Sequence, residues 1–257
     1  MPGVPPEAFD FTLTAPQWLL AGTVAFVMGV SKTGIPGLGI LAVTVFAMIM
    51  PAKDSVGAML PMLLVGDVFA VSYYHRRADW KQLRRVLPPA AVGIVAGYFV
   101  MKIISDEVLK RVIGGIVVLL LAMQLLRDLE VYADERVPHH WLFAWSLGTL
   151  AGLVTMMSNA AGPIIIVFLL AMRLDRFQFI GTIAWYFLIL NSFKVPFSMD
   201  LGLMTRASFL FDLKLAPVIL LGAWAGLYAP RWIPEKPFRY TIMALAAAAA
   251  VKLLAFG

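Results

Sequence analysis

Gly29-Val30-Ser31-Lys32-Thr33-Gly34-Ile35-Pro36-Gly37-Leu38-Gly39 interrupts a long apolar run with a lysine, two hydroxyls, four glycines and a proline. On either side lie the apolar segments 16–29 and 38–50. Each is shorter than the ~20 residues a helix needs to cross a bilayer. Pro36 cannot continue a helix from the preceding turn, and the glycines open backbone conformations closed to other residues. The stretch therefore predicts two half-helices meeting at an unwound elbow. Irregular backbone at membrane depth is tolerated only where it is buried in protein or lines a wet cavity. An elbow that carries Lys32 is a candidate for holding something negative.

Composition sets the class around this elbow. Of the 257 residues, 61% are hydrophobic and 14% charged, where a soluble domain carries about 25% charged residues. The mean hydropathy is +0.86. Several apolar runs reach spanning length, which predicts an all-α polytopic membrane protein rather than a barrel of weak alternating segments. There are no cysteines, which excludes disulfides, thiol chemistry and cysteine-held metals. The net charge of +6 comes from cations clustered between apolar runs, the pattern of cytoplasmic loops rather than of nucleic-acid binding. Residues 1–15 show no basic region and no cleavage pattern, so no removable signal peptide is expected.

The rest of the chain repeats the opening pattern. A long run over 54–74 contains Asp67, and the basic loop 75–85 follows. Two more spans cover 86–104 and 108–126, separated by Ser105-Asp106-Glu107, which reads as a helix start. After a mixed-charge linker at 127–140, a short apolar segment leads to a second break, Ser158-Asn159-Ala160-Ala161-Gly162-Pro163. Another short segment and spans at 177–196, 209–228 and 238–254 complete the chain. Ser31 and Pro36 match Ser158 and Pro163; Gly57 and Asp67 match Gly181 and Asn191; Gly93 and Gly97 match Gly222 and Gly226. The chain reads as a single transmembrane domain over 1–257, made of two related halves at about 16–128 and 138–256.

Each half holds a pair of short helices, spanning or re-entrant, plus three full spans. The pair starts and ends on one side, so three further crossings leave the second half inverted. Inverted repeats with discontinuous helices at the midplane are a recurring plan of secondary transporters. The basic loop, with Arg76, Arg77, Lys81, Arg84 and Arg85, favours an orientation with both termini outside.

Lys32 leads the candidate residues, because a lysine inside a membrane segment costs roughly 2.5–3.5 kcal/mol on insertion scales. Its ammonium, the hydroxyls of Ser31 and Thr33, and the N–H groups around Gly34 and Gly37 together suit an oxyanion. The bland alternative is a lysine that snorkels from a helix end. Ser158, Asn159 and the backbone of Ala160 and Gly162 supply neutral donors at the second break, or else a packing surface. Asp67 either titrates as a coupling group or neutralises Lys32 or Lys194. Asn191 either reaches the substrate or locks a helix contact. Lys194 is either a second cation on the anion path or a lysine snorkelling to the outer interface. His75 reads as a boundary residue. His139 and His140 are adjacent in a polar linker, a poor spacing for metal ligation. The motifs Gly93-x-x-x-Gly97 and Gly222-x-x-x-Gly226 point first to helix contacts within the chain, with homodimerisation as the other use. No hydrolase elbow, zinc motif or phosphate loop is present.

The Gly-x-Ser-Lys-Thr-Gly-x-Pro-Gly break at 29–37, the Ser-Asn-Ala-Ala-Gly-Pro break at 158–163 and the duplicated hydrophobic plan resemble the sulfite exporter TauE/SafE family of bacterial membrane permeases. The resemblance covers essentially the whole chain, and Ser31-Lys32-Thr33 marks a subgroup. It implies movement of small sulfur-containing anions, such as sulfite or organosulfonates, across the bacterial inner membrane. The expectation is a secondary transporter that works by alternating access, with no cofactor and with proton or ion coupling as a candidate drive. An anion channel and an integral-membrane enzyme are the alternatives.

Overall fold

A computed structural model describes residues 11–35, 38–128, 141–172, 174–232 and 235–256. The linker at 129–140, with His139 and His140, lies outside them, as do Pro36 and Gly37. The described chain is all helix and connection. In order, the helices are α1 (Ala15–Thr33), α2 (Gly39–Ile49), α3 (Ala52–Tyr74), α4 (Trp80–Ile103) and α5 (Asp106–Asp128). The second half has α6 (Trp141–Ser158), α7 (Gly162–Ala171), α8 (Arg176–Asp200), α9 (Arg206–Trp232) and α10 (Glu235–Phe256).

Polar residues just outside the apolar runs start the helices. Gln17 accepts from the backbone N–H of Thr14 at 2.8 Å at the head of α1. The carboxylates of Asp79 and Asp175 accept two backbone N–H groups each at the heads of α4 and α8. Ser105 precedes α5, as its sequence suggests. The carboxylate of Asp106 reaches across to a neighbouring helix, where it accepts from the N–H groups of Ala52 and Lys53 at 3.0 and 2.9 Å and so caps α3. Pro61, Pro88, Pro89 and Pro196 sit inside helices that continue through them, as neighbouring helices in a membrane bundle permit.

Among the described residues, six helical stretches are long and apolar enough to cross a membrane: Ala52–Arg77, Trp80–Ile103, Asp106–Leu126, Trp141–Ser158, Phe177–Asp200 and Arg206–Tyr228. The chain is a multi-pass membrane protein. Two details differ from the expected plan. The segment before the second break, read as short, forms the full-length α6, because the helix runs on through Met156 and Met157 to Ser158. In α10 the qualifying apolar part is the shorter Met243–Ala255.

Packing crosses between the halves. The helix α1 lies along α9, and α6 lies along α4. Glycines set both contacts. Gly29 faces the backbone of Ile219 and Ala223, Gly222 faces Phe26, and Gly226 faces Val30, so α1 and α9 run in the same direction. Gly93 faces Thr149 and Leu153, and Gly152 faces Ala90, which makes α4 and α6 parallel too. The central pair α3 and α8 runs antiparallel instead. Gly57 meets Leu203, Asp67 meets Asn191 and Arg77 meets Gly181. Two apolar clusters result. The larger joins residues of α1, α2, α3, α5, α9 and α10 with some of α6 and α7 and with Ala160 and Ala161 at the second break, and the smaller joins residues of α4, α6, α7 and α8.

Candidate functional site

The first break falls later than the glycines suggest. The helix α1 continues through Ser31, Lys32 and Thr33, and the chain leaves it at Gly34. Lys32 therefore stands in the last turn of α1, not at a half-helix N-terminus. Its ammonium donates to Asp67 Oδ1 at 2.5 Å and lies 4.8 Å from the centre of the Phe187 ring. Gly66 makes room for its stem, since a Cβ there would stand 3.0 Å from Lys32 Cγ. The Lys32 side chain points inward rather than snorkelling: it is 11% exposed and lines a cavity.

Asp67 has no exposed side-chain surface. Its second oxygen accepts from Asn191 Nδ2 at 2.6 Å. A buried carboxylate needs such partners, and here it has one from α1 and one from α8. The other end of the same amide, Asn191 Oδ1, is buried and has no hydrogen-bond partner among the described residues, and Asn191 lines the cavity. Asp67 thus neutralises Lys32, one of the uses its sequence position allowed.

The second break is a sharp turn at Asn159, whose φ of 58° is in the left-handed region that asparagine tolerates better than most residues. Its side chain is fully engaged. Nδ2 donates to the Val56 carbonyl of α3 at 3.0 Å, and Oδ1 accepts from the ammonium of Lys194. Lys194 also donates to the Thr155 carbonyl at 2.8 Å. At 1% exposure Lys194 does not snorkel; α8 carries it inward, behind the second break. No ion pair to it is found among the described residues.

These groups surround one cavity of about 60 Å³. A water-sized body needs about 15 Å³ on this measure, so the space suits a few waters or one small ion. Ser31, Lys32, Asp67, Asn159, Ala160, Gly162 and Asn191 all line it. Residues not singled out in the sequence join them: Thr155, Phe187, and Gly39 with Ile40 at the start of α2. The first turns of both α2 and α7 thus face the space: the N–H groups of Gly39 and Ile40 in α2 and of Gly162 in α7 have no partner within their own helix, whereas Pro163 carries none and Ile164 donates to Ala161 O. Together the two turns present the positive ends of two helix dipoles.

Other sequence candidates lie elsewhere. Thr33 donates to the Ala223 carbonyl at 2.6 Å and serves the α1–α9 contact. The N–H of Gly34 returns to Val30 O at 2.9 Å, and the residue packs against Gly226, where a side chain would not fit. Ser158 is fully buried and donates to Val154 O of its own helix at 2.9 Å. Lys194 stands one residue behind the lining, through Asn159. Gly37 lies outside the described residues. His75 sits at the end of α3 with its ring against the Ser72 carbonyl, a boundary position as expected. Sequence reading missed Asp212, a buried carboxylate in α9.

Counted formally, Lys32, Lys194 and Asp67 sum to one positive charge around the cavity. That surplus, two helix N-termini and a serine hydroxyl can hold a small anion. A family model for "Sulfite exporter TauE/SafE" matches residues 19–253, a stretch that includes both breaks. Comparison with curated proteins and with solved structures gives no match.

Proposed function

Starting from the chain's membership of the sulfite exporter TauE/SafE family of membrane transporters, we propose that the cavity between the two breaks is the substrate site of a secondary transporter for small sulfur-containing anions. One observation carries the reading. Breaks far apart in the chain, each at the end of a long helix, converge on a single small cavity with a surplus positive charge.

In this reading the site is self-neutralised before substrate arrives. Asp67 occupies Lys32 as an internal anion, and an incoming sulfite or sulfonate takes over part of that ammonium. The Ser31 hydroxyl and the first N–H groups of α2 and α7 replace the hydration of the anion's oxygens. Lys194 contributes charge from behind Asn159 without touching the ligand. Asp67 is the residue whose charge couples occupancy to conformation. The apolar face of Phe187 and the small volume favour a compact headgroup over a long chain.

Alternating access is the mechanism of this reading. Residues at both breaks, Ile35 and Leu38 at the first and Ala160 and Ala161 at the second, pack into the larger cluster, while α4, α8 and parts of α6 and α7 form the smaller one. In this reading the smaller group rocks on the larger and opens the cavity to either side. The antiparallel α3–α8 pair, with Asp67 opposite Asn191, supports two inverted repeats related by an axis through that contact. The abundant arginines of the 75–85 loop support placing it in the cytoplasm of a bacterial cell, with both termini outside.

The test is flux in liposomes. Purified protein should take up labelled sulfite or an alkylsulfonate with saturation, and external substrate should accelerate exchange of the internal pool. Transport that rises linearly without exchange would indicate a channel instead. Absence of flux across sulfite, sulfate, thiosulfate and simple sulfonates would overturn the proposal.

A further inference from the structure

Asp212 is a buried acid that the site above does not use. It lies in α9, 5% exposed, and neither carboxylate oxygen has a hydrogen-bond partner among the described residues. The same stripe of α9 carries Ser208, Leu215 and Ile219, all buried. This stripe faces α3, because Ile219 stands against Gly66 and the preceding Leu203 against Gly57. Asp212 precedes Ile219 by two helical turns, which places it ~10 Å along the helix from the level of the Lys32–Asp67 pair.

The charged groups on the elements packed against α9 are few. The helix α1 has Lys32, and α3 has Lys53, Asp54 and Asp67. On α9 itself Arg206 and Lys214 flank the acid, Lys214 lying 5.4 Å over the Trp18 ring. None of them forms an ion pair or hydrogen bond with Asp212. The nearest hydroxyl on the stripe, Ser208, is spent on Thr205: it donates to the Thr205 carbonyl and accepts the Thr205 N–H, both at 2.9 Å. A metal cation needs several oxygen ligands at once, and one carboxylate on an apolar stripe does not supply them. A proton needs only one. An ionised carboxylate without a partner is among the costliest things to bury, and taking up a proton removes that cost.

We propose that Asp212 is the proton-binding site that couples this transporter to a proton gradient. The inference rests on the transporter reading above. The step is Asp212–COO⁻ plus H⁺ giving Asp212–COOH, with the proton drawn from the side to which the N-terminal end of α9 opens. No bond other than O–H forms or breaks. The route to the anion site is mechanical. α9 is seated on α1 through Gly222, Gly226 and the Thr33–Ala223 hydrogen bond, so a shift of α9 that hydrates Asp212 also shifts the turn holding Lys32.

Two measurements test it. The first needs no substrate: infrared spectra of the purified protein labelled with ¹³C-aspartate at neutral pH. A protonated carboxyl band should be present in the wild type, retained in Asp67→Asn and lost in Asp212→Asn. Absence of any band sensitive to Asp212→Asn overturns the proposal, whatever the protein transports. Asp212→Val serves as a second variant should Asp212→Asn fail to fold.

The second is the ratio of proton-gradient-driven anion accumulation to anion exchange at equal pH in liposomes. Asp212→Asn should lower that ratio at least tenfold. Exchange in the wild type with no response to a proton gradient overturns the coupling role while leaving the anion site standing. No exchange of any anion removes the transporter reading, and the infrared band then decides alone whether Asp212 holds a proton.

Discussion

Replacing Asp67 with asparagine tests the internal competition at the site. The substitution keeps the shape and leaves an oxygen to accept from Asn191, but removes the negative charge 2.5 Å from the Lys32 ammonium. An anion on the far side of that ammonium lies a further ~2.8 Å away, hence about 5 Å from the carboxylate. At an effective dielectric of about 20, like charges at that separation repel by roughly 3 kcal/mol. Asp67→Asn should therefore bind a simple alkylsulfonate more tightly, by on the order of a hundredfold. A sulfonate is the right probe because it stays ionised across the working range of pH. Calorimetric titration of detergent-purified protein reads the affinity, and a thermal-shift series with and without ligand checks the fold. The same variant should transport poorly, since a site without its internal anion releases substrate slowly. Unchanged or weaker binding by a well-folded Asp67→Asn would refute the idea that carboxylate and substrate compete for Lys32.

Lys194→Met removes the second cation; a unit charge roughly 8–10 Å from the bound anion is worth about 2 kcal/mol, so sulfonate affinity in the same titration should fall more than tenfold. At the second break, Asn159→Ala and Asn159→Gly both lose the bridge to Val56 and Lys194. Only alanine also meets the left-handed backbone, so it should be the less stable by roughly 1–2 kcal/mol in denaturant titration. At the α1–α9 contact, a Cβ on Gly29 would stand 2.6 Å from Ala223 N, whereas one on Gly22 meets nothing within 4 Å. Gly29→Ala should cost about 1–3 kcal/mol and Gly22→Ala nothing, as read by thermal unfolding.

What was legible in the sequence followed from local chemistry. Glycine, proline and hydroxyls inside an apolar run announce a break, and both breaks fall between helices; the glycines at 93, 97, 222 and 226 announce close helix contacts, which the structure places between α4 and α6 and between α1 and α9. The position of the first break was harder. Ser31 and Thr33 look like breakers, yet a helical turn accommodates both, and Thr33 is held there by a carbonyl on a helix far along the chain. Gly34, not Gly29, ends α1, because Gly29 serves as a contact surface for α9. The fate of Lys194 was not readable either. Its partners Thr155 and Asn159 lie far from it in the chain, and only the packing of α8 against the second break brings them together. Asp212 escaped notice because it stands alone near the start of the 209–228 span, between Arg206 and Lys214, in no motif and with no counterpart in the first half. Only the stripe it shares with Leu215 and Ile219 turns it inward.

The central claim is that the two breaks together cradle one anion, and a binding titration across both breaks tests it most directly. Alkylsulfonate affinity should drop at least tenfold in Lys32→Ala and in Asn159→Ala, with the folded state intact, and stay at the wild-type value in Lys252→Ala near the end of α10. Wild-type affinity in both break variants would contradict the account.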